Sequence, residues 1–220
     1  MRERRGFLAS SIGRKVVMAV TGAILFGFVL AHMFGNLQVY LGPEAMNHYA
    51  VFLRQVLHGS GLWIARAVLL ASVVLHIWAA TSLTLTSRAA RPVGYRERQW
   101  REATYASRTM RWSGVIIFFF VVYHLLHFTT GTVHPSFVEG DVYHNFVTGF
   151  RSVPVSLFYI AAMILLGLHL RHGVWSMFQT LGVAHPRYMR LAHVGAWAFA
   201  ILVVVGNISF PLAVLAGIVR

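Results

Sequence analysis

The sequence predicts an all-α integral membrane bundle of five transmembrane helices. Of its 220 residues, 57% are hydrophobic and 11% are charged, and its mean hydropathy is +0.65, whereas a soluble domain carries about a quarter charged residues. Five apolar stretches are each long enough to cross a hydrocarbon core, which takes about 20 residues. All six acidic residues lie outside these stretches. We expect the spans at 16–40, 62–86, 112–132, 153–178 and 190–217, within one domain that covers residues 1–220.

The basic residues predict the orientation of the bundle. If the N-terminus lies inside, 15 of the 19 Lys and Arg residues fall on the inner side. This bias follows the positive-inside rule and predicts a cytoplasmic N-terminus for a multi-pass protein. It also accounts for the net charge of +13, so nucleic-acid binding is not expected. The first apolar run of about 25 residues is too long for a signal peptide and is expected to be a retained helix.

The segments that flank the spans have their own patterns. They are a basic lead-in, an outer connection, a basic inner loop, an outer loop and a short inner turn: 1–15, 41–61, 87–111, 133–152 and 179–189. In the outer connection, Pro43 fits a first helical turn, and the apolar spacing after it predicts a short helix along the membrane surface. Gly182 and Pro186 interrupt the inner turn.

Each of the first four spans carries a histidine at depth: His32, His76, His124 and His169. An imidazole inside a membrane helix is costly and points to function. From the helical rise, His32 and His124 lie roughly 24 and 18 Å above the inner face, and His76 and His169 roughly 6–15 Å above it. Two layers of paired imidazoles are what two stacked bis-histidine haems require, because facing helices supply the axial ligands.

Some choices stay open at this stage. His127 and His172 lie three residues after His124 and His169 on the same helix faces, so depth alone does not choose between the members of each pair. Any single mid-span histidine can also be an interhelical hydrogen-bonding residue. The chain has no cysteine, which excludes an iron–sulfur cluster held by this chain. No tight repeat is apparent, and one histidine per helix explains the near-regular histidine spacing.

Five stretches carry a resemblance to a known family: IGRKVVMAVTG at 12–22, HMFGNLQVYLGPEAMNHYA at 32–50, SRTMRWSG at 107–114, YHLLHF at 123–128 and HLRHGVWSMFQTLG at 169–182. Together and in this order, the chain resembles the di-haem cytochrome b membrane-anchor subunit of bacterial succinate dehydrogenase/fumarate reductase, of the single-subunit, five-helix type. The resemblance covers nearly the whole chain.

The resemblance implies two haem b groups, with His32 and His124 as axial ligands of the outer one and His76 and His169 as ligands of the inner one. It implies a subunit in a bacterial cytoplasmic membrane that anchors a flavoprotein with FAD and an iron–sulfur protein. Electrons would pass between that dehydrogenase and a quinone, for which menaquinone is expected. The N-terminal arm and the loop 87–111 are candidate docking surfaces for the iron–sulfur subunit, and a higher oligomer of the complex is an open option.

Further cofactor contacts are expected at the two ends of the bundle. Lys15, Arg108 and Arg111 border the inner haem by depth and suit its propionates, although ordinary inner-side anchoring explains them equally well. His127 and His172 lie nearer helix ends, where a histidine can bond a propionate, a quinone carbonyl or water. One branch of the family has buried glutamates where this chain has Arg54 or Gln55 and Gly167, so a glutamate proton route is not expected.

Two other functions are weighed against this one. A haem b anchor of another quinone-linked dehydrogenase or hydrogenase would do similar chemistry for a different partner. A histidine-based membrane transporter would use the paired histidines, but such proteins generally show inverted repeats and helices broken near the midplane. Neither feature is clear in this sequence.

Overall fold

The computed structural model describes residues 6–90, 105–180, 182 and 185–220, and for residues 105–109 and Pro186 the backbone only. The described residues form helices and turns without a strand. The α-helices are α1 (Ser11–Asn36), α2 (Pro43–Gln55), α3 (Ser60–Ala89), α4 (Tyr105–Phe128), α5 (Val142–Phe150), α6 (Val153–Thr180) and α7 (Pro186–Leu215). By length and composition, five of them (α1, α3, α4, α6 and α7) can cross a membrane, which confirms the all-α membrane bundle.

Local sequence explains where several helices begin. The Ser10 hydroxyl accepts the Gly13 N–H and caps α1, which satisfies one of the free donors of the first turn. Pro43 begins α2 and Pro186 begins α7, at the positions where a missing N–H and a fixed φ do no harm. The short outer helix expected after Pro43 is therefore present.

The outer loop was predicted incorrectly in two respects. α4 ends at Phe128 rather than continuing to residue 132, and the chain turns at Gly131, whose φ of 73° suits glycine. Residues 142–150 then form α5, a helix within the segment 133–152 for which the sequence predicts a loop. Asp141 caps α5 by accepting the His144 N–H at 2.9 Å.

Helices α2 and α5 lie together at the end of the bundle at which α1 and α4 finish, which we call the outer end, and we call the opposite end the inner end. Asn47 of α2 donates to the Asp141 carboxylate at 2.9 Å and accepts the Tyr143 N–H at 3.0 Å. Phe146 and Phe150 of α5 are buried. They belong to a core of buried residues that also draws on α1, α2, α4, α6 and α7. This outer cap closes the end of the bundle at which α1 and α4 finish.

Close packing joins α6 to α7. A Cβ built on Gly167 would overlap the Val204 side chain of α7. The α6–α7 interface therefore depends on the absence of a side chain at residue 167. A glutamate at this position would overlap Val204 in the same way.

Candidate functional site

The two outer histidines meet across the bundle. His32 of α1 and His124 of α4 have ring centroids 5.8 Å apart and planes at 88°. Two imidazole nitrogens that share one metal ion lie about 4 Å apart, because each metal–nitrogen bond is about 2.0 Å. The two rings are close enough to bind one metal ion together, if each turns one nitrogen toward it. We call His32 and His124 the outer pair.

Each ring of the outer pair stacks on a phenylalanine one turn before it. Phe28 lies 5.3 Å from His32 with planes 21° apart, and Phe120 lies 5.9 Å from His124 with planes 30° apart. Residues i and i+4 share a helix face, so each phenylalanine packs beside its histidine on the same helix. The two helices thus present equivalent aromatic pairs.

The inner histidines, His76 and His169, are half-buried and each contacts a hydroxyl of a neighbouring helix. We call them the inner pair. Thr21 Oγ1 of α1 lies 3.2 Å from His76 Nδ1, and Ser113 Oγ of α4 lies 3.1 Å from His169 Nδ1. The two bonds join α1 to α3 and α4 to α6 in the same way.

These two hydroxyls already donate to their own helices. Thr21 Oγ1 donates to the Val17 carbonyl at 2.7 Å, and Ser113 Oγ donates to the Met110 carbonyl at 3.0 Å. A hydroxyl has one proton to donate, so each oxygen is left to accept from the histidine. An Nδ1–H on each inner histidine satisfies this contact, and Nε2 then carries the free lone pair.

A tyrosine hydroxyl lies beside the outer pair, as the Thr21 and Ser113 hydroxyls lie beside the inner pair. Tyr159 of α6 is 5% exposed, and its hydroxyl lies 3.0 Å from His127 Nδ1 and 3.4 Å from His124 Nδ1. Three of the four deep histidines therefore have Nδ1 beside a hydroxyl oxygen. Within the described residues, none of the four has a hydrogen-bond partner at Nε2.

His127 lies deeper than its position near a helix end suggested. It is fully buried, and its ring stacks on His134 with centroids 4.9 Å apart. A Cβ on Gly149 of α5 would lie 2.9 Å from His127 Cε1, so α5 packs directly on the ring. Its Nε2 has no hydrogen-bond partner within the described residues.

His172 occupies an aromatic cluster at the inner end of α6. Its ring lies 5.9 Å from Trp175, which in turn lies 4.7 Å from His193 of α7. The Trp175 indole N–H is a buried donor without a partner in the described part of the chain. Nearby, Arg171 stacks over the Trp197 ring at 4.1 Å, which accommodates a charge within an apolar helix.

Three basic residues near the inner end were predicted as cofactor contacts. Lys15 and Arg111 are exposed near the beginnings of α1 and α4. The Arg108 side chain lies outside the described residues, as do residues 1–5 and 91–104 of the predicted docking surfaces. Arg14, one of the inner-side basic residues, donates to Ser82 at 2.6 Å and to Thr86 at 3.0 Å and so joins α1 to α3.

Sequence reasoning also missed Thr21, Ser113 and Tyr159. The sequence does contain a repeated pattern that includes Thr21 and Ser113. The pattern Met-x2-(Thr or Ser)-Gly-x5-Phe-x3-His occurs once in α1 and again in α4, with every member displaced by 92 residues. Its members are Met18, Thr21, Gly22, Phe28 and His32, then Met110, Ser113, Gly114, Phe120 and His124. Tyr159 has no counterpart in this pattern and could be found only from the fold.

The fold and the histidine contacts define a multi-pass helical membrane protein in which histidines of different helices, the exposed His32 and the half-buried His124, approach one another. The family of succinate dehydrogenase/fumarate reductase transmembrane subunits matches the chain over residues 87–205. This range is more than half of the 220 residues, and the chain belongs to that family. No curated protein sequence and no solved structure matches the chain.

Membership makes the chain the transmembrane subunit of a complex that also contains a flavoprotein and an iron–sulfur subunit. The family is the cytochrome b subunit of that complex and generally binds haem. The suggested anchor of another dehydrogenase and the suggested transporter are therefore disfavoured. The matched range includes His124 and His169. It does not include His32 or His76, which lie before residue 87.

Proposed function

We propose that residues 1–220 form a single di-haem cytochrome b domain. It passes electrons between the iron–sulfur subunit and a membrane quinone. The outer pair would hold one haem b and the inner pair a second, and the haems, when bound, supply one-electron transfer across the membrane. The observation that carries this proposal is the approach of His32 and His124 from different helices, with ring centroids 5.8 Å apart.

The hydrogen bonds at Nδ1 support the same ligand set. A metal-ligating histidine usually donates its other ring N–H to an acceptor, which fixes the tautomer and turns the ligating nitrogen toward the metal. Thr21, Ser113 and Tyr159 provide such acceptors for His76, His169 and His124. The donor set fits haem b, because the porphyrin supplies four ligands and the protein needs to supply two.

The orientation and the remaining contacts complete the proposal. The N-terminus would lie on the cytoplasmic side of a bacterial membrane, with menaquinone as the expected quinone. Lys15, Arg108, Arg111 and His172 remain predicted contacts at the inner end, where Lys15 and Arg111 are exposed. His127 remains predicted as a contact for a propionate or quinone oxygen at the outer end. Its buried Nε2, which has no hydrogen-bond partner among the residues that the structure describes, supports this role.

The first test is a haem count on the purified, haem-supplied protein. A reduced-minus-oxidised spectrum with pyridine haemochrome quantification should give a low-spin b spectrum and about two haems per chain. Substituting His32, His76, His124 or His169 singly with alanine should leave one haem. The control His58→Ala changes an exposed histidine of the α2–α3 connection and should leave two.

Double variants test the pairing itself. His32→Ala/His124→Ala removes both ligands of one proposed haem and should leave one haem per chain. His32→Ala/His76→Ala removes one ligand from each proposed haem and should leave none. A folded, haem-supplied wild-type chain without haem would refute the cytochrome proposal. One haem in both double variants would refute the pairing.

A further inference from the structure

The inner pair is held by two equivalent hydroxyl–glycine steps. Thr21–Gly22 of α1 faces His76, and Ser113–Gly114 of α4 faces His169. In addition to the hydroxyl contacts at Nδ1, a Cβ on Gly22 would lie 3.4 Å from His76 Cε1, and one on Gly114 would lie 3.7 Å from His169 Cε1. Each imidazole therefore lies along the backbone of the neighbouring helix, with its Nδ1 edge at the hydroxyl.

The chain positions of these residues indicate that the match is systematic. Thr21 precedes His32 by 11 residues, as Ser113 precedes His124. The hydroxyl-to-histidine separations across the helix pairs are 55 and 56 residues. The pairs α1–α3 and α4–α6 thus form two units with the same arrangement of these residues, each with one inner hydroxyl, one inner histidine and one outer histidine. A hydrogen bond that occurs at the same place in both units has a common role.

We infer that Thr21 and Ser113 are positioning residues for the inner haem, and that each fixes the tautomer and ring orientation of one axial histidine. The inference rests on the proposed function. The hydroxyl accepts the histidine Nδ1–H while its own proton stays on a backbone carbonyl of its own helix. Nε2 then faces away from the hydroxyl with its lone pair free.

The bond also sets the basicity of the ligand. An acceptor at Nδ1–H makes the imidazole more electron-rich, and a more electron-rich ligand favours the ferric state. Removing the acceptor should therefore raise the midpoint potential of the inner haem. The outer haem should not respond, because His124 has Tyr159 as its partner and His32 has no hydroxyl partner among the described residues.

The experiment is a potentiometric titration of both haems in Thr21→Val and Ser113→Ala. The His76→Ala variant keeps only the outer haem, so its single midpoint assigns the two midpoints of the wild type. We expect each hydroxyl-deletion variant to change the ferric-to-ferrous ratio of the inner haem about tenfold at a fixed ambient potential. For a one-electron couple this is a rise of about 59 mV. The double variant should shift further in the same direction.

Conservative variants separate the hydroxyl from packing. Thr21→Ser and Ser113→Thr keep the hydroxyl and should restore the wild-type midpoint. Thr180→Val is the matched control, because the Thr180 hydroxyl donates to the Ser176 carbonyl of its own helix α6 and contacts no histidine in the described part of the chain. The electron paramagnetic resonance g-values of the ferric inner haem should change in the deletion variants and not in the control.

If Thr21→Val or Ser113→Ala loses the inner haem while its conservative variant keeps it, the positioning role is supported. If the conservative variant loses it as well, or if the deletion variants keep both midpoints, the inference is overturned. An equal shift in Thr180→Val or a shift of the outer haem also overturns it. Absence of haem from the wild type is a separate result, which refutes the proposed function itself.

Discussion

The Tyr159 hydroxyl bridges two histidines, and its removal has a calculable effect on stability. Tyr159→Phe leaves His127 Nδ1 without its 3.0 Å partner and His124 Nδ1 without its 3.4 Å partner. His127 is fully buried, and a buried polar atom left unsatisfied costs about 1–3 kcal/mol. The longer contact to His124 contributes less. We therefore expect the variant to lose about 2 kcal/mol of unfolding free energy.

The loss can be measured by titrating the purified protein in detergent with sodium dodecyl sulfate and following far-UV circular dichroism. Tyr123→Phe is the matched control. Tyr123 belongs to the same aromatic cluster, and its hydroxyl makes no hydrogen bond within the described residues. The control should stay within about 0.5 kcal/mol of the wild type.

A double-mutant cycle with His127→Leu tests the cause. Replacing both members of a buried hydrogen bond by apolar groups is far less harmful than replacing one. Tyr159→Phe/His127→Leu should therefore be more stable than the sum of the single effects predicts, by about 1 kcal/mol or more. Additive effects, or a Tyr159→Phe protein as stable as the wild type, would refute the reasoning.

Three further predictions concern packing, pH and helix pairing. Gly167→Ala should lower the unfolding free energy by about 1–2 kcal/mol because its Cβ overlaps Val204, and Val204→Ala in the same chain should relieve most of this in the same titration. The N–H of His144 and the amide of Asn47 lower the pKa of Asp141, so its carboxylate contributes stability above its ordinary pKa of 3.8. That contribution should be lost as the pH falls through the lowered pKa of Asp141. The difference in melting temperature between wild type and Asp141→Asn should therefore change most below pH 4. A constant difference from pH 7 to pH 3 would contradict this prediction. Arg14→Gln removes the bonds from α1 to Ser82 and should destabilise the chain by about 1 kcal/mol, whereas a variant at the exposed Arg88 should not.

The sequence predicted the membrane spans well because their signal is strong and local. A run of about 20 apolar residues is typical of a membrane-spanning helix. Most of each predicted span lies within the observed helix for α1, α3, α6 and α7. α5 was missed because it has only nine residues and follows a stretch rich in turn-forming residues. Its burial depends on contacts with α2, α6 and α7, which local sequence does not specify.

Part of the candidate site could be predicted from the sequence, and part could be found only from the fold. An ionisable residue in an apolar helix is conspicuous, so all four deep histidines could be found by inspection. Thr21 and Ser113 were not conspicuous, since a lone hydroxyl in a membrane helix usually bonds to its own backbone. Only the fold shows that the same oxygens also meet His76 and His169. The burial of His127 beneath α5 was equally inaccessible, because it depends on a helix that the sequence did not reveal.

The two-unit architecture has a consequence for how the protein is made. Under the proposed ligand set, each haem takes one histidine from before residue 90 and one from after residue 105. Neither unit can complete a site alone, so the outer haem must wait until α4, and the inner haem until α6, has been synthesised and has entered the membrane. Cofactor binding is then linked to the joining of the two halves. In a cell short of haem, the supply of cofactor would limit the amount of assembled subunit, even with abundant polypeptide.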